Sequence, residues 1–135
     1  MSSYVRVLHA SHDRRPFDVF VNDNCINKGL SYCDFTDYHP VTNRFRIRLC
    51  PPGHCGVSYF DSSFDMSGRE IYTLAAVRNP DGRYDLVPVS DRPSHWHRDR
   101  AHIKFVNLSH GLHGADAYLD DGTMLFKNVP FKGIT

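Results

Sequence analysis

The sequence predicts an all-β protein built as an antiparallel sandwich, and three observations carry that reading. Short runs rich in Val, Ile, Phe and Tyr recur along the chain, turn-forming residues separate them, and no segment keeps the 3.6-residue apolar period of a helix. Strands at roughly 8 to 12-residue spacing with frequent turns are the pattern of a sandwich. The length of 135 residues suits one domain, and a composition of 41% apolar and 23% charged residues belongs to a chain with a buried core, not a disordered one.

The elements follow in order. Residues 4–10 form the first run, ended by Ser11-His12-Asp13 and Pro16. Residues 17–21 form the second and run into Asn22-Asp23-Asn24, side chains that tolerate tight turns. In residues 44–49, Phe45, Ile47 and Leu49 alternate with Arg44, Arg46 and Arg48, which predicts one buried and one wet face; the arginine row reads as a solvated outer face. After Pro51-Pro52-Gly53, residues 57–60 make a short strand, and Ser67-Gly68 marks a further turn. Residues 71–77 are more uniformly apolar, as in a central strand, and Asn79-Pro80-Asp81-Gly82 predicts a hairpin into residues 83–89 with Gly82 at positive φ.

The chain also resembles itself. Val5-Arg6-Val7-Leu8-His9-Ala10-Ser11-His12 aligns with Ile103-Lys104-Phe105-Val106-Asn107-Leu108-Ser109-His110, and Asp18-Val19-Phe20-Val21-Asn22-Asp23 with Asp116-Ala117-Tyr118-Leu119-Asp120-Asp121, 98 positions on. One more residue enters near the next turn, after which Leu30-Ser31-Tyr32 matches Val129-Pro130-Phe131. The expected organisation is a complete module over 1–90, a linker over 91–100 and an incomplete second module over 101–135 holding first strands only. Extended segments at 101–108 and 115–120 would then carry unpaired N–H and C=O groups and uncovered apolar side chains.

Charge and the termini narrow the function classes. Sixteen basic against fifteen acidic residues leave +1 and no block of either sign, which argues against nucleic acid. The first 15 residues turn polar at once and show no secretory signal, and no apolar run approaches the roughly 18 to 20 residues of a membrane span. By default the location is cytoplasmic and the cysteines reduced.

Cys50-Pro51-Pro52-Gly53-His54-Cys55 is the densest chemical cluster. Cys50 and Cys55 could be reduced thiols, a disulfide across a hairpin neck, or, with His54 and either Cys25 or Cys33, ligands of a zinc ion. His95-Trp96-His97 puts two imidazoles on one side of an extended segment within the linker, where a solvated pair is the simpler reading. His9, Ser11, Asp13 and Asp18 supply the residue types of a nucleophilic triad, but there is no Gly-x-Ser-x-Gly elbow, and the second copy replaces His9 by Asn107 and Asp13 by Gly111. Local bonds from Ser11, Asp13 and Asp18 to turn backbone groups account for them better. No phosphate-cradling loop, dinucleotide fingerprint or His-Glu-x-x-His motif is present.

With these residues in view, the chain resembles the domain-of-unknown-function 4397 family. The resemblance rests on Val5-Arg6-Val7-Leu8-His9-Ala10-Ser11, Asp13, Pro16, Asp18-Val19-Phe20-Val21-Asn22, Thr36-Asp37-Tyr38-His39-Pro40-Val41 and Tyr72-Thr73-Leu74-Ala75-Ala76-Val77, and again on residues 121–131. It implies an immunoglobulin-like sandwich, often in tandem, in cell-envelope or secreted proteins, with no family-wide enzymatic activity. His12 in place of the proline the family pattern favours, and cysteines at 50 and 55, are departures. The expected function is a non-catalytic structural or interaction module, forming a homo-oligomer by strand exchange or edge pairing through Phe105, Tyr118, Leu119 and Phe126. The alternative is a small metal- or ligand-binding domain using Cys33, Cys50, His54 and Cys55.

Overall fold

In the computed structural model, which describes residues 3–54, 56–92 and 98–135, every regular element is a strand. The chain divides into two units, Met1–Arg92 and Pro93–Thr135. The first holds β1 (Ser3–His9), β2 (Phe17–Val21), β3 (Asn24–Leu30), β4 (His39–Val41), β5 (Arg44–Cys50), β6 (Phe60–Asp65), β7 (Ile71–Arg78) and β8 (Tyr84–Ser90). The second holds β9 (Ala115–Tyr118) and β10 (Met124–Val129).

The first unit is a sandwich of two four-stranded sheets, ordered β4-β1-β7-β8 and β3-β2-β5-β6. Val5, Val7, Val41, Leu74, Ala76 and Leu86 from one sheet share a core with Phe17, Val19, Val21, Leu30, Phe45, Ile47 and Leu49 from the other. Alternation in β5 does what period two requires: Phe45, Ile47 and Leu49 are buried, while Arg44 and Arg46 face solvent. On the wet face Arg46 forks onto Asp61 and Arg48 reaches Asp23. One pairing runs parallel: β1 lies between β4 and β7 and follows β7 in the same direction from Tyr4↔Ile71 to His9↔Ala76.

Several elements differ from the pattern in the sequence. β3 and β4 were not expected, because β3 is a largely exposed edge strand of Asn, Cys, Lys and Gly and β4 spans three residues. What places β3 is the two-residue turn Asn22-Asp23, with φ of 48° and 69°, which folds the chain straight back on β2. Residues 57–59 are loop, with Val57 exposed; β6 starts at Phe60 and sets Phe60 and Phe64 against the core.

In the second unit, residues 101–108 contribute one isolated bridge, Val106↔Ile134, where a strand was expected. The 115–120 segment becomes β9, which ends at Tyr118 and is paired along one side with β10, so its backbone is not wholly unpartnered as anticipated. Of the 91–100 segment, residues 93–97 lie outside the described residues, and His95-Trp96-His97 with them.

Candidate functional site

The first unit organises its loops around buried polar side chains. His9 is fully buried at the end of β1, its ring stacked on Phe17 with centroids 4.3 Å apart and edge-on to Tyr32. The Ser11 amide donates to Nδ1 at 3.3 Å, so Nε2 carries the hydrogen and donates to the Arg15 carbonyl at 2.7 Å. Ser11 Oγ donates instead to Asp13, at 2.8 Å. The hydroxyl-to-imidazole bond that a serine nucleophile needs is therefore not formed. Asp18, also buried, accepts from the amides of Gly29 at 2.8 Å and Gly53 at 3.0 Å, tying two turns to β2.

Part of this hydrogen-bond network, and of the main-chain pairing around it, recurs in the second unit at corresponding positions. The pairs His9 N–H to Asp34 O, Cys33 N–H to His9 O and Thr36 N–H to Val7 O have as counterparts Asn107 to Gly133, Lys132 to Asn107 and Thr135 to Phe105. Thr36 Oγ1 accepts from the Val7 amide and Thr135 Oγ1 from the Phe105 amide, both at 3.0 Å. Asp116 accepts from the Asn128 amide as Asp18 does from Gly29, and both donor residues sit at positive φ, 53° at Asn128 and 62° at Gly29. Asn107, buried like His9, accepts from the Ser109 amide and donates to the carbonyls of Leu112 and Val129. The added residue is Gly122 at φ 91°: it turns a two-residue hairpin into a three-residue one closed by Leu119 and Thr123.

Of the residues expected to interact, Tyr118 and Leu119 are 55% and 42% exposed, while Phe105 and Phe126 are half-buried and stack on each other with centroids 6.1 Å apart. β9 is bordered by β10 on one side, and among the described residues no strand lies along its other edge in that sheet. Of the residues expected to bind metal, Cys33 is exposed in the turn after β3 at φ 70°, Cys50 is buried at the end of β5, and His54 is exposed. Cys55 lies outside the described residues. Among the described residues no three His, Cys, Asp or Glu side chains converge where an ion could sit.

A further cluster was not anticipated. Asp13 accepts from the Tyr84 hydroxyl and, at 3.2 Å, from Arg78, whose Nε donates to the Gly82 carbonyl. Burial pushes the Asp13 carboxyl up, but the bonds from Tyr84, Ser11 and the Arg15 amide, with the Arg78 charge, hold it below the ordinary carboxylate value. Burial and then the Asp13 carboxylate push the Tyr84 phenol up to about 12. Tyr84 stacks on Tyr59, centroids 5.1 Å apart, and the two line an open groove of about 470 Å³ with Arg15 and Arg83. No motif announces this site, since its residues come from four separate segments.

A two-sheet β-sandwich joined to a smaller unit that reuses its hydrogen-bond plan defines a modular all-β protein, and the described residues hold no helix long and apolar enough to cross a membrane. The family model for a domain of unknown function (DUF4397) matches residues 3–118, and the chain belongs to that family. No curated protein and no solved structure matches it.

Proposed function

We propose that this protein is a non-catalytic β-sandwich interaction module of a cell-envelope or surface-type protein, and that it self-associates through its C-terminal strands. In this reading Pro93–Thr135 is the opening of a second module. The observation that carries it is the recurrence of the hydrogen bonds of β1 to β3 in a unit of two strands. In the first unit β2 lies between β3 and β5. Among the described residues its counterpart β9 has the equivalent of β3 but not of β5, and Tyr118, Leu119, Met124 and Leu125 are each more than a third exposed. A second copy of the chain supplies the absent neighbour: β9 against β9 across a two-fold axis gives one continuous four-stranded sheet and closes as a dimer.

Light scattering on the full chain tests this. The expected mass is that of a dimer, falling to a monomer when Tyr118→Lys and Leu119→Lys are combined or when residues 101–135 are removed. A full-length monomer, or a dimer that survives both changes, defeats the reading.

A further inference from the structure

We propose that Pro40 and Pro88 close the two margins of sheet β4-β1-β7-β8 to strand addition by a second copy of the chain, which confines self-association to the C-terminal hairpin. The confinement rests on the pairing through β9 read above, whereas the closure of the margins rests on the main chain of the first unit alone. β4 and β8 are the end strands of that sheet, and among the described residues no strand lies beyond either. Pro40 is the middle residue of three-residue β4, and Pro88 is the fifth of the seven residues of β8. Both are exposed and neither belongs to the core, so packing does not account for a proline inside a strand.

Hydrogen-bond phase gives the direction of each missing N–H. In an antiparallel ladder, opposed residues alternate between pairs that exchange bonds and pairs whose main-chain groups point away from each other. Asn79 donates to the Arg83 carbonyl and Asp91 to the Ile71 carbonyl, both at 2.8 Å, which fixes the alternation at the two ends of the β7–β8 ladder. Counted inward from either end, Val77↔Asp85, Ala75↔Val87 and Thr73↔Val89 are bonded pairs and Leu74↔Pro88 is not. The nitrogen of Pro88 therefore faces the margin. On the other side of the sheet, His9 donates to the Asp34 carbonyl and Val7 accepts from Thr36, while Tyr4 donates to the Glu70 carbonyl and Ala10 to the Ala76 carbonyl. Odd residues of β1 thus face β4 and even ones face β7, so Tyr4↔Pro40 is a pair without bonds and Pro40 too faces outward. Each proline leaves the existing ladder whole and removes only a donor that an incoming strand would need.

The facing sheet guards its margins by other means. β3 carries Lys28, meets β2 with two register shifts and turns through Gly29 at φ 62°, and β6 places exposed Asp61 and Asp65 among its outward-facing residues. The C-terminal hairpin has no such device on β9. Leu119 donates to the Thr123 carbonyl at 2.8 Å, so the adjacent pair Tyr118↔Met124 is without bonds and Tyr118 turns its main chain, N–H included, away from β10. Its counterpart in the first unit is Phe20, which lies opposite Arg48 of β5. The contrast between Pro88 and Tyr118, two residues at outward-facing positions, is what directs a second copy to one edge and not the other.

Light scattering over a wide range of concentration, with circular dichroism on the same samples, decides the matter for the full chain carrying Pro88→Thr alone or with Pro40→Thr. Threonine restores the N–H, suits a strand and adds no large apolar surface. Pro88→Thr is expected to raise the mass above that of the proline chain with the β signal unchanged, and the double substitution to give species that grow with concentration, because each copy then offers two edges. The same substitutions in the Tyr118→Lys, Leu119→Lys chain separate the two readings: there Pro88→Thr should take a monomer to a dimer through β8. A parent chain that is already monomeric defeats the pairing through β9 and leaves this comparison intact. Masses equal to those of the proline chains at every concentration would overturn the closure of the margins, as would growth seen only where the β signal is lost.

Discussion

Replacing His9 tests whether the two units share one structural plan. His9 is fully buried, stacks on Phe17, and satisfies the Ser11 amide and the Arg15 carbonyl. His9→Ala removes the ring and leaves the buried Ser11 amide without its acceptor. The cavity costs about 2–3 kcal/mol and the orphaned amide about 1–2 kcal/mol, so a loss of about 3–5 kcal/mol is expected. His9→Asn is predicted to behave differently, because Asn107 occupies the corresponding place: its Oδ1 accepts from the Ser109 amide at 3.0 Å and its Nδ2 donates to main-chain carbonyls. An asparagine at 9 can take the Ser11 amide in the same way and loses mainly the stack on Phe17, about 1–2 kcal/mol. Urea unfolding of the three proteins, followed by circular dichroism, measures the difference. If His9→Asn is no more stable than His9→Ala, the correspondence of residues 9 and 107 is not a functional equivalence, and the plan shared by the two units loses its clearest support.

Two further outcomes are expected from the first unit. Because the folded phenol of Tyr84 sits at about 12, above its unfolded value near 10, its contribution is fully present below about pH 10 and is lost as pH rises through about 12; Tyr84→Phe should therefore be less stable near neutrality and show a shallower alkaline decline in urea unfolding, and a curve parallel to the parent would refute this. At Gly29, φ is 62° and nothing lies within 4 Å of an added Cβ, so only backbone strain opposes a side chain; Gly29→Ala should cost about 1–2 kcal/mol and Gly29→Asn clearly less, as Asn128 holds φ 53° in the matching turn, and equal losses in thermal unfolding would contradict that.

The fold was legible where one face of a strand is buried and the other is not. Phe45, Ile47 and Leu49 against three arginines can be satisfied only by a half-buried strand, and β5 is that strand. β7 was legible for the opposite reason, its run from Thr73 to Val77 being buried throughout. β3 and β4 were not, because an edge strand or a three-residue strand buries little and leaves no periodic trace; their positions come from the turn at Asn22-Asp23 and the pairing with β1. The candidate sites divide likewise. Self-similarity pointed to Tyr118 and Leu119 because it compares residues in order along the chain. The groove escaped notice because Arg15, Tyr59 and Arg83 meet only once the sheets have closed, and nothing in their local sequence marks them. Spacing alone suggested that Cys33, Cys50 and His54 belong together, whereas Cys33 faces out from a turn and Cys50 is buried at a strand end.

The partial copy has kept some parts of the plan and changed others. Its polar hub, its clamping aspartate and the positive-φ turns at Asn128 and Lys132 match their counterparts at Gly29 and Cys33, so its main-chain groups are largely answered locally. The side chains differ: Phe17, Val19, Val21 and Leu30, all buried in the first unit, correspond to Ala115, Ala117, Leu119 and Val129, so the inner face of the hairpin is smaller at three positions and leaves Leu119 42% exposed. Two strands with so small an inner face are marginal by themselves in water. Satisfied hydrogen bonds do not compensate, because each replaces a bond to water and gains little. Part of the apolar cover that β9 and β10 need comes from within the unit, where Phe105 stacks on Phe126 of β10. In the self-association proposed above, changing Tyr118 and Leu119 to lysine leaves the local hydrogen bonds in place and removes the exposed surface that the second copy would cover.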